Sequence, residues 1–312
     1  MILLWIIVAM LTVSLLSLII AYVIYRMAFE GNRKITTDPY KNLAPDDKTG
    51  MRAGIDRMLS EPYEEVRIKS RDGLTLVGKY YHRCDGAPLE IQMHGFRGMP
   101  ERDFSGGGVE CLDMGHNLLL VHQRAHGVSG GDTITYGVLE RYDALSWAEW
   151  AVSRFGEDVK IFLMGISMGA STVIMASALD LPKNVVGIIA DCPYSSPVEI
   201  ITKVAEYMRL PGRLLSPFVR LAAVLFGRFS LADVTCEEAV RSSKVKILVI
   251  HGADDHFVPE YMSEKIEAAA PECVVRYTFP GADHGMSYST DTERYMKIVK
   301  EFMAETLGGS AE

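Results

Sequence analysis

Ser167 lies between two glycines in the run KIFLMGISMGAS, Lys160 to Ser171. A serine hydroxyl is a weak nucleophile at its free pKa, so it attacks a carbonyl only when a base takes its proton and a third group orients that base. The motif alone is poor evidence. With Gly and Ser each near about 7% of residues, G-x-S-x-G arises by chance in roughly one chain in ten of this length. Its setting carries the weight. An apolar run ends at Gly165 and a helical pattern opens at Met168, so the serine falls on a strand-to-helix turn. Gly165 and Gly169 leave room for a strained backbone there, and the helix N-terminus offers N–H groups to developing negative charge. The competing reading is a serine N-cap with glycines for close helix–strand packing.

The base is read as His284 in FPGADHGMSY, between the last apolar run and the last helical stretch. The other histidines fit less well: His251 is in or at the tip of a strand, His256 faces a loop, and His82 and His116 precede strands or sit in turns. The acid is expected from HGADDHFVP, where Asp254 and Asp255 are adjacent and either can offer an oxygen to an imidazole. His122 and His126 have the i, i+4 spacing of a helical metal site but sit where a strand runs into a Gly-rich loop, so no metal is expected there. Five cysteines without a C-x-x-C pair fit reduced, mostly buried thiols.

Elements must bring these loops together. YEEVRIKSRDGLTLVGKYYHR alternates apolar and polar residues around Asp72-Gly73 and reads as a β-hairpin. Six short apolar runs follow, ending at Gly95, Arg124, Gly165, Cys192, Gly252 and Gly281, and they suit strands covered on both faces. Helical stretches lie between them, including Val138 to Phe155 and Ser167 to Leu179. Such alternation implies an α/β fold with a mostly parallel sheet and helices on both faces, its ligands bound beyond the carboxyl ends of the strands.

With 312 residues, 48% hydrophobic and 23% charged, the chain can bury one large core. A formal net charge of -8 without basic runs excludes a nucleic-acid surface. Met1 to Tyr25 carries no charged side chain and as a helix is roughly 37 Å long, enough to cross a bilayer. It lacks the basic n-region and cleavage site of a signal peptide and reads as an uncleaved anchor. Arg26, Arg33, Lys34 and Lys41 follow it and no basic residue precedes it, which places the C-terminal bulk in the cytoplasm. Residues 28–60 mix charges with Pro39 and Pro45 and read as a linker or stalk with one short helix.

Five segments together, HGFRG (His94 to Gly98), QRAHGVSGG (Gln123 to Gly131), GISMG (Gly165 to Gly169), HGADDHFVP (His251 to Pro259) and GADHG (Gly281 to Gly285), resemble those of the α/β-hydrolase superfamily. The likeness runs from about residue 61 to 307, and the nearest branch is the serine aminopeptidase-like and monoglyceride-lipase-like group. It implies a mostly parallel eight-stranded sheet with a helical lid, in which the chain order Ser, Asp, His is the expected one. It also implies Asp255 rather than Asp254 as the acid, and an oxyanion hole from the backbone N–H groups of Phe96 and Met168. Arg124 to Gly127 then has a structural role, with Ala125 where relatives often carry glycine.

The expected organisation is a transmembrane anchor at 1–27, a linker at 28–60 and a catalytic domain at 61–312 with its lid at about 195–240. Helical periodicity in the lid breaks at Pro211-Gly212 and at Pro217. Its segment RLLSPFVRLAAVLFGRF reads first as a face buried on the core and second as a face resting on a membrane. The expected function is a serine hydrolase cleaving a carboxylic ester, such as an acylglycerol, through an acyl-enzyme, with no metal or organic cofactor. A peptidase or amidase with the same triad, and a non-catalytic membrane-associated scaffold, are the alternatives.

Overall fold

The chain is described from a computed structural model over residues 1–31, 38–41, 43 and 50–308. Eight strands form one sheet: β1 (Glu64–Lys69), β2 (Thr75–Tyr81), β3 (Leu89–Met93), β4 (Asn117–His122), β5 (Ile161–Ile166), β6 (Val185–Asp191), β7 (Ile247–Gly252) and β8 (Val274–Phe279). Their spatial order is β1-β2-β4-β3-β5-β6-β7-β8. β2 runs against both its neighbours, and every other pairing beyond it is parallel.

Burial explains the runs. Every residue of β3, β4 and β7 is buried, as continuous apolar strands in the centre of a sheet require. Along β5, Ile161 and Leu163 enter a cluster with Ala148 and Val173, whereas Phe162 and Met164 enter another with Val299 and Phe302. A two-residue period thus feeds helices on both faces. β8 departs from the expectation of a strand covered on both faces: Val275 and Tyr277 are exposed, because β8 is the sheet edge and one of its faces meets solvent.

The first helix, Ile2–Ile24, is exposed along its length except at Ala21, which is buried, and at Ser17 and Ile24, which are partly buried, and it is long and apolar enough to cross a membrane. Ordered structure runs on past residue 27, the expected end of the anchor. The π-helical turn Tyr25–Phe29 docks on the domain, with Phe29 fully buried in the main core, which contributes about 1.5–3 kcal/mol. Ile134 N donates to Phe29 O at 2.7 Å and Gly31 N to Asp132 O at 2.9 Å. Within the assigned linker, the helix Met51–Ser60 buries Ile55 and Met58. These contacts are single apolar residues spaced among charges, too sparse to show as a period. The basic positions Arg33 and Lys34 fall outside the described residues.

Over the lid region run the helices Pro197–Tyr207, Gly212–Ala222 and Cys236–Ser242. Pro217 does not break the second of them, contrary to the pattern. It removes one bond at the middle of this eleven-residue helix, and burial of Val219 and Ala222 holds the helix together on either side.

Candidate active site

Ser167 sits between β5 and the helix Met168–Ala176 with φ 55° and ψ -112°, a conformation that costs a non-glycine residue of order 1–3 kcal/mol. The two flanking glycines are required by contact rather than by flexibility. A Cβ on Gly165 would overlap the backbone of Gly169, and one on Gly169 would overlap the Met93 carbonyl. Ser167 N donates to Asp191 O at 2.8 Å, which fixes the turn to β6.

The elbow delivers the hydroxyl to an imidazole. Ser167 Oγ lies 3.0 Å from His284 Nε2, and His284 Nδ1 lies 2.7 Å from Asp255 Oδ2. Asp255 Oδ1 accepts from Phe257 N at 2.9 Å and Val258 N at 2.7 Å. Burial alone would raise the Asp255 carboxyl, but its hydrogen bonds from His251 and His284 outweigh this and hold it well below the usual carboxylate range. With Asp255 ionised, Nδ1 carries the proton and Nε2 presents its lone pair to the serine. Asp254 is exposed and makes no such contact, so of the adjacent pair the fold brings Asp255 inward. His256 is exposed, and His251 is fully buried with Nε2–H donating to Val258 O at 2.9 Å.

A Cβ built on Gly95 would lie 3.6 Å from Ser167 Cβ, so the HGFRG loop flanks Ser167. Neither the Phe96 nor the Met168 amide donates to a protein acceptor among the described residues. Met168 follows Ser167 directly in the chain and Phe96 follows Gly95, so both amides belong to segments that adjoin Ser167.

No family model matches the chain. Uncharacterized protein YqkD of Bacillus subtilis is 28% identical over 193 residues, covering 62% of this chain and 63% of that one, so the match spans less than two thirds of that relative. An uncharacterized protein of Mycobacterium tuberculosis is 24% identical over 246 residues, covering 78% of this chain and 79% of its own. Among solved structures, the Pyrococcus furiosus esterase Pf2001 superposes with a TM-score of 0.64 and 25% identity, over 80% of this chain and 93% of that one. The chain has the α/β-hydrolase fold.

Other structures sharing this hydrolase fold differ in chemistry. Est1E of Butyrivibrio proteoclasticus, solved with ferulic acid bound, matches at a TM-score of 0.61 and 21% identity over 78% of this chain and 99% of that one. An acylaminoacyl peptidase of Pyrococcus horikoshii matches at 0.59 and 16% identity over 84% of this chain but only 44% of its own.

Around the elbow of this α/β-hydrolase fold, two neutral histidines tie loops together. Burial pushes His94 down to about 3, so it is uncharged: Nδ1–H donates to Gly95 O at 2.8 Å and Nε2 accepts from Gln123 N at 3.2 Å. His126, held well below its ordinary value by burial, accepts from Arg97 N at 3.0 Å and donates to Arg124 O at 2.8 Å. Arg124 in turn pairs with Asp143 at 2.7 Å and Asp72 at 2.8 Å, which is the structural role read for its segment. Ala125 takes φ 59°, the strained value that explains glycine as the easier residue there.

Sequence reasoning missed Arg97. At φ 52° in the loop beside Ser167, it sends Nη2 to Met27 O at 2.9 Å and to Glu30 O at 3.0 Å. The end of the first helix is thereby fastened to the loop that carries the Phe96 amide. Phe96 also stacks on Tyr136 at 5.1 Å, and Tyr136 meets Phe29 edge-on at 5.7 Å. No local pattern reveals a contact across some seventy residues.

Cys192 Sγ, Asp255 and His284 place ligand atoms within 4.8 Å of one another. Burial pushes the Cys192 thiol well above its ordinary value, so it packs as a neutral group while the other two bond to each other.

Proposed function

We propose that this chain is a membrane-anchored serine hydrolase that cleaves carboxylic esters with Ser167 as nucleophile, His284 as base and Asp255 as its orienting acid. The observation that carries the reading is one continuous line of contacts, 3.0 Å from Ser167 Oγ to His284 Nε2 and 2.7 Å from Nδ1 to Asp255. Ser167 Oγ attacks the ester carbonyl as Nε2 takes its proton, the Phe96 and Met168 amides receive the oxyanion, and the alkoxide leaves with the proton from His284. Water, deprotonated by the same imidazole, then releases the acid from the acyl-enzyme. Esters are favoured over amides because the esterase match covers nearly all of the relative's length, whereas the peptidase match covers under half.

The first helix is taken as the anchor, with the catalytic domain on the side of Arg26, the cytoplasm by charge bias. A fluorophosphonate probe should label the wild-type chain and leave Ser167→Ala unlabelled. Turnover of p-nitrophenyl acyl esters of graded length should exceed turnover of aminoacyl anilides. Preference for the anilides would transfer the assignment to a peptidase, and equal labelling of both chains would remove Ser167 from the reaction.

A further inference from the structure

The lid carries a surface that the proposed reaction does not use. Between Tyr207 and Ala232 there are four arginines and no acidic residue, in a chain of formal net charge -8. Arg209, Arg213, Arg220 and Arg228 are all exposed. None forms an ion pair among the described residues, although nearby Lys203 and Lys265 pair with Glu206 and Glu199. Interleaved with them are large apolar side chains in the open: Tyr207 is 67% exposed, Leu214 73% and Val224 54%. The sequence allowed two places for this segment, against the core or on a membrane. Val219, Ala222 and Ala223 go inward and Leu221 and Phe226 pack beside them, whereas Leu214, Val224 and Leu225 are left exposed among the described residues.

Its position in the fold names an occupant. Tyr22, Tyr25 and Arg26 close the apolar span, and aromatic and basic residues there mark the level of the lipid headgroups. Phe226 of the lid meets Tyr22 at 5.4 Å and Tyr25 at 5.9 Å between ring centroids, and Ala21 is fully buried on that side. The lid is therefore held at the same level as the end of the span. A basic, apolar helical surface at that level matches an anionic leaflet: arginines to phosphate, leucine and valine to the acyl boundary.

We infer that Tyr207–Arg228 is an interfacial segment that lies on an anionic lipid surface beside the first helix. The inference rests on the first helix spanning a membrane and does not depend on the hydrolase reading. At the start of the segment Tyr207 meets Phe257 at 6.1 Å, and Phe257 meets His284 at 5.1 Å, so the docked segment borders the site.

The test places a nitrobenzoxadiazole fluorophore at Leu214→Cys in full-length chain carrying Cys84→Ser, reconstituted in phosphatidylcholine vesicles with or without phosphatidylglycerol. Quenching by lipids spin-labelled near the headgroup is then measured. Strong quenching in phosphatidylglycerol vesicles is expected, with little at a Lys183→Cys control on the far side of the domain. Each of Arg213→Gln and Arg220→Gln should lower the docking constant roughly fivefold. Quenching at 214 no greater than at 183 overturns the inference. So does quenching that is indifferent to phosphatidylglycerol, or shielding that follows protein density, which assigns the face to a second copy. Fluorophosphonate labelling of the same vesicles reports separately on Ser167, so the two readings fail independently.

Discussion

Two carboxylates near the elbow show how environment sets the role of a residue. Asp255 is buried yet held ionised by backbone amides and two imidazoles, which suits a group that must orient His284 and stabilise its charge. Replacing it with Asn should lower kcat by about 10⁴-fold through the wrong imidazole tautomer, whereas Asp254→Asn should leave turnover near wild type. Steady-state kinetics on one ester separates the pair. Asp191 is the opposite case. Burial pushes it up to about 6, opposed by one hydrogen bond from Tyr295 at 3.0 Å, and its Oδ1 has no protein partner among the described residues. The folded chain thus keeps a proton that the unfolded chain has lost between roughly pH 4 and 6, so this group's contribution to stability falls as pH rises through that window. Asp191→Asn should stabilise the fold at pH 7 by on the order of 3 kcal/mol and by much less near pH 4, read by chemical denaturation at both.

At the scale of elements, the site depends on two backbone approaches that admit no side chain and on one long clamp. Gly169→Ala drives a methyl into the Met93 carbonyl, so the elbow must move or the helix must lift from β3. A loss of at least about 3 kcal/mol in stability together with loss of activity is expected, measured by thermal melts and ester turnover. The clamp is Arg97, whose guanidinium grips two carbonyls at the end of the first helix. On the proposed reaction, Arg97→Ala should lower kcat about 10- to 100-fold with KM little changed, because a small displacement of the Phe96 amide would weaken its hydrogen bond to the developing oxyanion. Arg97→Lys, able to donate to one carbonyl, should recover part of the loss. A variant that shifted KM alone would contradict this account.

For the whole molecule, the first helix and the catalytic domain are joined by structure as well as by chain. Phe29, Tyr136 and Phe96 form an aromatic line from the helix end to the site, and Tyr25 bonds Thr133 at 2.8 Å on the way. Deleting residues 1–21 should release the domain from uncharged phosphatidylcholine membranes with activity largely kept. Deleting 1–31 should also expose the Tyr136 face and reduce turnover about 10-fold or more, since it removes the carbonyls that Arg97 holds. Comparable activity in the two truncations, measured on a soluble ester, would show that the helix end is only a tether.

Local chemistry made most of the fold legible. Continuous apolar runs, each ending in a polar loop, specify buried parallel strands whatever the surroundings, and Gly165 and Gly169 announce the close approaches that the turn at Ser167 requires. Strands that deliver their loops to one edge account for candidate residues gathering there, whereas the order Ser, Asp, His and the choice of Asp255 rest on the family resemblance. Other decisions depend on groups distant in sequence meeting in space. The exposure of one face of β8 and the passage of a helix through Pro217 are set by neighbours that no local window contains. The same holds for Phe29 and Arg97, single residues in charged or glycine-rich segments. Periodicity reports a surface that repeats, whereas a lone buried ring or a lone clamp acquires its meaning only when tertiary packing supplies the partner.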